Sequence, residues 1–156
     1  MRVGIYLAEI THPFLVLIVG TLGFSGAVFA SSFVTSVGAF LALYSICFGL
    51  FIGLVFMIPV VECNKYFPGM KMYVNGCIFA GTGFSSIVFG NFAFSFINPN
   101  KLKPIGGYYL GNPDLEALAM KVPSMLRYEA LLFLCFGVIA IIMMSPILLH
   151  NRKKEN

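Results

Sequence analysis

The chain has 156 residues, of which 59% are hydrophobic and only 10% are charged, and its formal net charge is +4. Soluble domains carry about a quarter charged residues, so this composition excludes a water-facing globular surface and predicts an integral membrane protein in contact with lipid. The positive charge does not indicate a nucleic-acid partner, because the basic residues are scattered over connectors and one tail without forming a stripe.

The first two predicted helices lie in a long segment without charge. No Asp, Glu, Lys or Arg occurs between Glu9 and Glu62. At about 1.5 Å per residue, one helix of that length would measure about 78 Å, against a hydrocarbon core of ~30 Å. The segment is therefore expected to fold back once, at the sequence SSFVTSVGA, whose Ser, Thr and Gly residues suit an interface. This places the first span at residues 13–33 and the second at residues 37–61.

Two further apolar runs complete the prediction. A tight turn containing Pro68 and Gly69 leads to a third span at residues 72–97, which ends before Pro99. A fourth span at residues 130–149 is closed by the polar tail HNRKKEN. Each run is continuously apolar rather than alternating, which favours helices over a barrel. The predicted fold class is all-α integral membrane, with four transmembrane helices in a single domain covering residues 1–156.

The long connector, residues 98–129, separates the third and fourth spans. It is expected to contain a short helix near residues 114–121, capped by Asn112 or Asp114. An even number of spans places both termini on one side. The bias of basic residues toward that side predicts that the termini face the cytoplasm or the equivalent compartment of an organelle. The host membrane stays open between the plasma membrane and an organellar membrane, including the mitochondrial inner membrane.

Polar residues inside the predicted spans are candidates for a substrate path, because transporter sites lie near the bilayer midplane. The alternative is ordinary hydrogen bonding between helices, worth about 0.6 kcal/mol per bond. Glu62 and Arg127 lie near span ends, where they could act in a gate or proton relay or could simply anchor the helices at the interface. The four path candidates are Tyr44, Thr82, Ser86 and Asn91.

Small residues recur along the first three spans at spacings that allow helix backbones to approach closely. We expect helix packing from them, although a glycine-lined path that lets helices bend is a second possibility. They are Gly20, Gly23 and Gly26 in the first span, Gly49 and Gly53 in the second, and Gly76, Ala80, Gly83 and Gly90 in the third.

Signatures of catalysis are missing from the sequence. It has no G-x-S-x-G, P-loop or H-E-x-x-H motif, so an enzyme is not expected. Its four cysteines lack metal-ligand spacing and its two histidines are far apart, so neither a cofactor nor a metal is expected.

Four segments in order resemble the major facilitator superfamily, in its oxalate/formate-antiporter-like and monocarboxylate-transporter-like branch. They are HPFLVLIVGTLGFSGAVFASSF, then FGLFIGLVFMIPVVECNKYFPGMKMYVNGCIFAGTGFSS, then INPNKLKP, and finally KVPSMLRYEALLFL. In that branch an aromatic-Phe-Pro sequence followed by basic residues and a glycine joins the fourth and fifth helices. The residues that match this inner-loop motif are Tyr66, Phe67, Pro68, Lys71 and Gly76.

The resemblance covers the third to the sixth of the twelve helices of that family. It implies part of the N-terminal half of a transporter for small organic anions such as monocarboxylates or oxalate, working by alternating access. Other membrane helices or subunits would then be needed to complete the fold. The alternative is a non-transporting accessory subunit of a larger membrane complex, derived from such a transporter.

Overall fold

The structure, a computed structural model, describes residues 6–7, 10–100, 102 and 113–155. These residues form helices and turns, and no strand occurs among them. Four helical segments are long and apolar enough to cross a membrane, which confirms the predicted all-α class with four spanning helices. The helices are α1 (Pro13–Ser31), α2 (Val37–Tyr66), α3 (Lys71–Ile97), α4 (Pro113–Ala119) and α5 (Val122–Glu155).

Helix α1 has a polar cap at each end. The Nδ1 atom of His12 accepts a hydrogen bond from the backbone N–H of Phe14 at 3.3 Å, and proline occupies the first helical position. At the other end, the hydroxyl of Ser31 donates to the carbonyl of Val28 at 2.7 Å. Both side chains bond to backbone groups that have no partner within the helix. Helix α1 therefore begins at Pro13 and ends at Ser31, where the polar sequence SSFVTS begins.

Helix α1 is the centre of the bundle and packs against both α2 and α5. Gly20 lies against Val55 of α2, and Gly23, nearly one turn later, lies against an aromatic ring of the same helix. On the other side, Gly137 of α5 lies against Thr21 of α1. A Cβ atom at any of the three glycines would collide with these neighbours. Because these glycines have no side chain, the three helices can approach closely. Such close packing holds helices together in a membrane, where the hydrophobic effect does not drive their association.

Two apolar clusters lie at opposite ends of the bundle. We name them by the chain segments beside them: the turn-end cluster lies near the α2–α3 turn and the connector-end cluster lies near α4. The turn-end cluster consists of Val16, Leu17, Ile58 and Leu148. The connector-end cluster consists of Val28, Met125, Leu126 and Ala130. Each cluster takes residues from α1 and α5, so these two helices run together over most of their length.

Helix α2 contains one departure from α-helical geometry. Residues Ala42–Cys47 form a π-helical segment, which lies between the α-helical segments Val37–Leu41 and Phe48–Val55. A π-helical segment inserts an extra residue into the helix, and such segments occur often at functional sites. Tyr44, one of the predicted path residues, lies inside it.

The helices extend beyond the predicted spans. Helix α2 continues to Tyr66 rather than ending at residue 61, and α5 begins at Val122 rather than at residue 130. Residues 122–129 of the predicted connector 98–129 therefore belong to α5. This helix has 34 residues and measures about 51 Å, which is more than the ~30 Å hydrocarbon core. Its ends can carry charge without leaving the helix. The short connector helix is α4, while Asn112 and the side chain of Asp114, the two capping candidates, lie outside what the structure describes.

Candidate functional site

Helix α3 is attached to the bundle mainly near its two ends. At the turn end, the Nδ2 atom of Asn64 donates to Oδ1 of Asn75 at 3.0 Å. At the connector end, the ring of Phe89 lies 5.2 Å from that of Phe133 in α5. Helix α3 contacts α5 and the last part of α2, and none of its residues is fully buried. Among the described residues, no ring contact or side-chain hydrogen bond to another helix is found between Phe79 and Phe89, and we call this open stretch between α3 and the bundle the groove.

Thr82 faces this groove. It lies seven residues after Asn75 and seven before Phe89, and residues spaced by seven share one face of a helix. Both neighbours on that stripe contact the bundle, yet Thr82 is exposed. Its hydroxyl donates to the carbonyl of Phe79 in its own helix at 2.7 Å.

Ser86 lies on the adjacent stripe of the same face. Phe79, seven residues earlier, contacts Phe56 of α2 at 6.0 Å between ring centroids, and Ala93, seven residues later, packs on the connector-end cluster. Ser86 is nevertheless exposed, and its hydroxyl donates to the carbonyl of Thr82 at 3.2 Å. Thr82 and Ser86 thus place two hydroxyls in the groove. Each can exchange its bond to the helix for a bond to a ligand, because hydroxyl hydrogens rotate freely.

Tyr44 lies at the connector end rather than beside the two hydroxyls. Its ring stacks between those of Phe40 and Phe48, at centroid distances of 5.2 and 6.0 Å, and it packs on the connector-end cluster. Ala93 of α3 packs on the same cluster. Tyr44 therefore borders the connector end of the groove.

Asn91 does not belong to this group. It lies nine residues after Thr82, which places it on the opposite side of α3. It is exposed, and its Nδ2 atom donates to the carbonyl of Ile87 at 2.8 Å. The structure therefore brings two of the four predicted path residues together and separates Asn91 from them.

The inner-loop motif forms the α2–α3 turn. Tyr66 ends α2, and its ring lies 4.7 Å from that of Phe67 and 4.9 Å from that of His150 in α5. Pro68 lies within the turn that leads to Lys71, the first residue of α3. Gly76, the last residue of the motif, has no neighbouring atom within 4 Å of its Cβ position.

Several other glycines that were expected to pack also face open space. A Cβ atom would meet nothing within 4 Å at these positions. The close approach predicted for them is therefore not made among the described residues. They are Gly26, Gly49, Gly53, Gly83 and Gly90.

A buried polar cluster at the turn end was not predicted from the sequence. Asn151 of α5 and Glu62 of α2 are exposed by only 5% and 6%. The Nδ2 atom of Asn151 donates to the Glu62 carboxylate at 2.8 Å, and the Nζ atom of Lys65 lies 3.2 Å from the other carboxylate oxygen. The sequence gives no signal for this pairing, since Asn151 stands in a polar tail that looks solvent-exposed.

Arg127 links α5 to the end of α1. Its Nε atom donates to the hydroxyl of Ser32 at 3.3 Å, and its guanidinium lies 4.5 Å from the centre of the Phe33 ring. These contacts give Arg127 the role of an anchor between helices. The described residues contain no group of three or more His, Cys, Asp or Glu side chains that could hold a metal ion.

A cavity of about 310 Å³ lies between the end of α3 and α4. Its lining is almost entirely apolar, so it suits a hydrocarbon group better than a small organic anion. The residues that line it are Phe94, Ile97, Asn98, Leu118, Ala119 and Val122.

Comparison with known proteins gives a distant similarity to a carrier. The chain is 26% identical to apicoplast pyruvate carrier 1 of Toxoplasma gondii over an alignment of 109 positions, which covers 64% of this chain and 20% of the carrier. The chain therefore spans about a fifth of the length of the curated relative that it matches. No protein-family model matches the chain, and no solved structure matches it.

These comparisons correct the family predicted from the sequence. Membership of the major facilitator superfamily is wrong, because no family model matches the chain and the similarity found is to a protein named as a pyruvate carrier. The description of the fold as part of a major-facilitator half is wrong for the same reason. The motif from Tyr66 to Gly76 is accounted for by the turn that it forms between two antiparallel helices.

Proposed function

We propose that the chain is a helical component of a membrane carrier for a small organic anion of the pyruvate class. The observation that supports this most directly is the similarity to a pyruvate carrier over 64% of the chain. The four long apolar helices agree with such a role, since a carrier must cross the bilayer. The relative is named as a carrier and not as an enzyme, which favours transport over catalysis.

The groove beside α3 is the proposed path for the anion. Thr82 and Ser86 lie near the middle of the 27-residue helix, where transporter sites are usually found. Their hydroxyls can donate hydrogen bonds to a carboxylate or a keto oxygen. Both side chains are exposed, so a small ligand can reach them without displacing a helix.

The anionic charge of the substrate needs a cation that the middle of these helices does not provide. The charge-free run from Ile10 to Val61 and the run from Met72 to Asn100 contain no Lys or Arg. We therefore assign the neutralising charge to further helices of the carrier, packed across the groove. Such helices would also cover the exposed glycines of α2 and α3.

The way α3 is attached supports alternating access as the mechanism. The pair Asn64–Asn75 closes the groove at the turn end, and the pair Phe89–Phe133 closes it at the connector end. Movement of α3 against the firmly packed unit of α1, α2 and α5 would open one end while the other stays closed. The relative is named for the apicoplast, so an organellar membrane is the proposed location.

The test compares membranes that contain the chain with membranes from which it has been deleted. The native particle is purified in mild detergent, reconstituted in liposomes and supplied with labelled pyruvate. We expect uptake that saturates and that excess unlabelled pyruvate suppresses. Equal uptake with and without the chain, together with no uptake by the reconstituted particle, would overturn the proposal in favour of a non-transporting subunit.

A further inference from the structure

The apolar cavity at the connector end lies apart from the proposed transport path. It has a volume of about 310 Å³, within the range of ~300–1,000 Å³ that ligand pockets span. Three helices meet around it, and none of the side chains that line it carries a charge. Its apolar lining residues are Phe94 and Ile97 from α3, Leu118 and Ala119 from α4, and Val122 from α5.

The one polar side chain in the lining, that of Asn98, already has partners. Its Nδ2 atom donates to the carbonyl of Leu102 at 2.9 Å, and its Oδ1 atom accepts from the backbone N–H of Leu102 at 2.8 Å. Asn98 is only 3% exposed. A water molecule needs about two to four polar partners, so an apolar cavity stays dry and takes up apolar molecules instead. The lining therefore favours a hydrocarbon group over water or a small polar solute.

The cavity lies where lipid chains are available. Its α3 residues belong to the last turn of a spanning helix, which ends at Ile97. The 27 residues of α3 measure about 40 Å, more than the ~30 Å hydrocarbon core, so this turn reaches the boundary between hydrocarbon and head groups. The cavity is partly open rather than enclosed, and Phe94 in its wall is 51% exposed. A lipid tail can therefore enter from the bilayer.

A cation stands at the edge of the cavity. Lys121 lies in the turn between α4 and α5, two residues after Ala119 and directly before Val122, both of which line the cavity. Its backbone N–H donates to the carbonyl of Leu118 at 3.1 Å. Lys121 is exposed, and within the described part of the chain no ion pair joins it to Glu116, the acid nearest to it in sequence. An ammonium in this position complements the phosphate of a lipid head group.

We propose that this cavity binds one acyl chain of an anionic phospholipid, whose phosphate is held by Lys121. The apolar lining accepts the chain and the cation accepts the head group, so the two features together select a ligand that has both parts. Ile97 and Val122 line the cavity and also pack on the connector-end cluster. The bound chain therefore joins α3 and α4 to the start of α5. Neither this binding nor its test depends on the transport function.

The charge of the head group decides which lipid the cavity retains. A lipid tail gains no hydrophobic energy by leaving other tails, which are just as apolar as the cavity. Retention depends instead on the contacts made in filling the cavity and on the attraction between phosphate and ammonium. Lipids with the same tails should therefore differ in retention according to the net charge of their head groups.

A photoreactive lipid locates the site in the native particle, purified in mild detergent. The probe is phosphatidylglycerol with a diazirine in one acyl chain. On illumination the diazirine loses N₂, and the carbene that remains inserts into a nearby C–H bond, which mass spectrometry of peptides locates. We expect labelling of residues 94–97 and 118–122 in preference to the lipid-facing parts of α2.

Competition by unlabelled lipids measures the selectivity. Phosphatidylglycerol should suppress the label about fivefold better than phosphatidylcholine with the same tails, since one lysine near an anionic lipid contributes about that factor. Inorganic phosphate, which has no tail, should not compete. A free fatty acid should compete less well than phosphatidylglycerol.

Two variants separate the chain from the head group. Ala119→Phe adds a ring to the wall of the cavity and should abolish the label, whereas Met120→Phe, at a neighbouring position that is 79% exposed and outside the lining, should keep it. Lys121→Gln should remove the preference for phosphatidylglycerol over phosphatidylcholine. Lys71→Gln, an exposed lysine at the opposite end of α3, should leave that preference unchanged.

Three results would overturn the proposal. Equal labelling of the lining and of α2 would show only the lipid that surrounds any membrane protein. Equal competition by the two phospholipids, or stronger competition by the fatty acid, would exclude an anionic phospholipid as the ligand. Label on another protein of the particle, with the lining unlabelled, would show that a further component fills the cavity. If Ala119→Phe does not fold, the comparison of Lys121→Gln with Lys71→Gln decides, because both substitutions are at exposed positions.

Discussion

The side chain of Asn151 joins the C-terminal part of α5 to the C-terminal part of α2. Its Nδ2 atom donates to both the backbone carbonyl and the side-chain carboxylate of Glu62, at 2.9 and 2.8 Å. Both residues are buried, and 89 positions separate them in the chain. A link between distant helices through a buried acceptor is sensitive to the loss of its donor, because the acceptor then keeps its desolvation cost without compensation.

The first prediction concerns this link. Replacing Asn151 by Ala should lower the free energy of unfolding by about 1–3 kcal/mol, since Glu62 would keep Lys65 alone as its partner. The midpoint of thermal unfolding in detergent measures the effect. Asn91→Ala is the matched control, because that amide is exposed and bonds within its own helix. Equal losses for the two variants would show that Asn151 does not hold α5 to α2.

The second prediction separates two glycines that look alike in the sequence. Gly20→Ala should destabilise the bundle by about 1–3 kcal/mol, because its Cβ would collide with Val55, whose branched side chain has few rotamers. Gly49→Ala meets nothing within 4 Å and should be neutral, or stabilising by up to about 1 kcal/mol through helix propensity. Thermal unfolding of both variants in the same detergent is the measurement. A destabilised Gly49→Ala variant in the purified particle would reveal a partner helix at that position.

The number of helices could be predicted because charge is nearly excluded from their centres. A carboxylate or an ammonium in hydrocarbon costs so much that the positions of Glu9, Glu62 and the basic tail outline the spans. The start of α5 was predicted too late, at residue 130 instead of Val122, because Arg127 and Glu129 were assigned to a connector. Helix α5 is long enough to carry both residues beyond the hydrocarbon core without ending, and Glu129 is only 9% exposed.

The groove could be predicted only in part. Thr82, Ser86 and Asn91 were predicted as path residues because each is a polar side chain within an apolar run. Helical spacing alone does not show which side of α3 faces the bundle, because the helix is apolar nearly all round. The contacts of Asn75 and Phe89 supply that direction. Pairing across 89 residues, as between Glu62 and Asn151, leaves no trace in local sequence patterns.

The third prediction concerns the anchor at the connector end. Arg127→Lys should destabilise the protein by about 1 kcal/mol, because an ammonium reproduces neither the Nε bond to Ser32 nor the planar contact with the Phe33 ring. Lys121→Arg, an exposed substitution at the start of the same helical region, should leave the unfolding midpoint unchanged. The role of an anchor would be refuted if Arg127→Ala unfolded at the same temperature as the unaltered chain.

The last prediction concerns transport through the groove. Ser86→Ala together with Thr82→Val should lower pyruvate uptake about tenfold, since removing two hydrogen bonds of about 0.5–1.5 kcal/mol each weakens binding by that order. The folded state should lose little stability, because both side chains are exposed and bond only within α3. Ser95→Ala is the matched control, an exposed serine on another face of the same helix. Initial uptake rates in liposomes, normalised to the amount of folded particle, give the comparison. Loss of uptake in Ser95→Ala with normal uptake in the double variant would move the path to the outer face of α3.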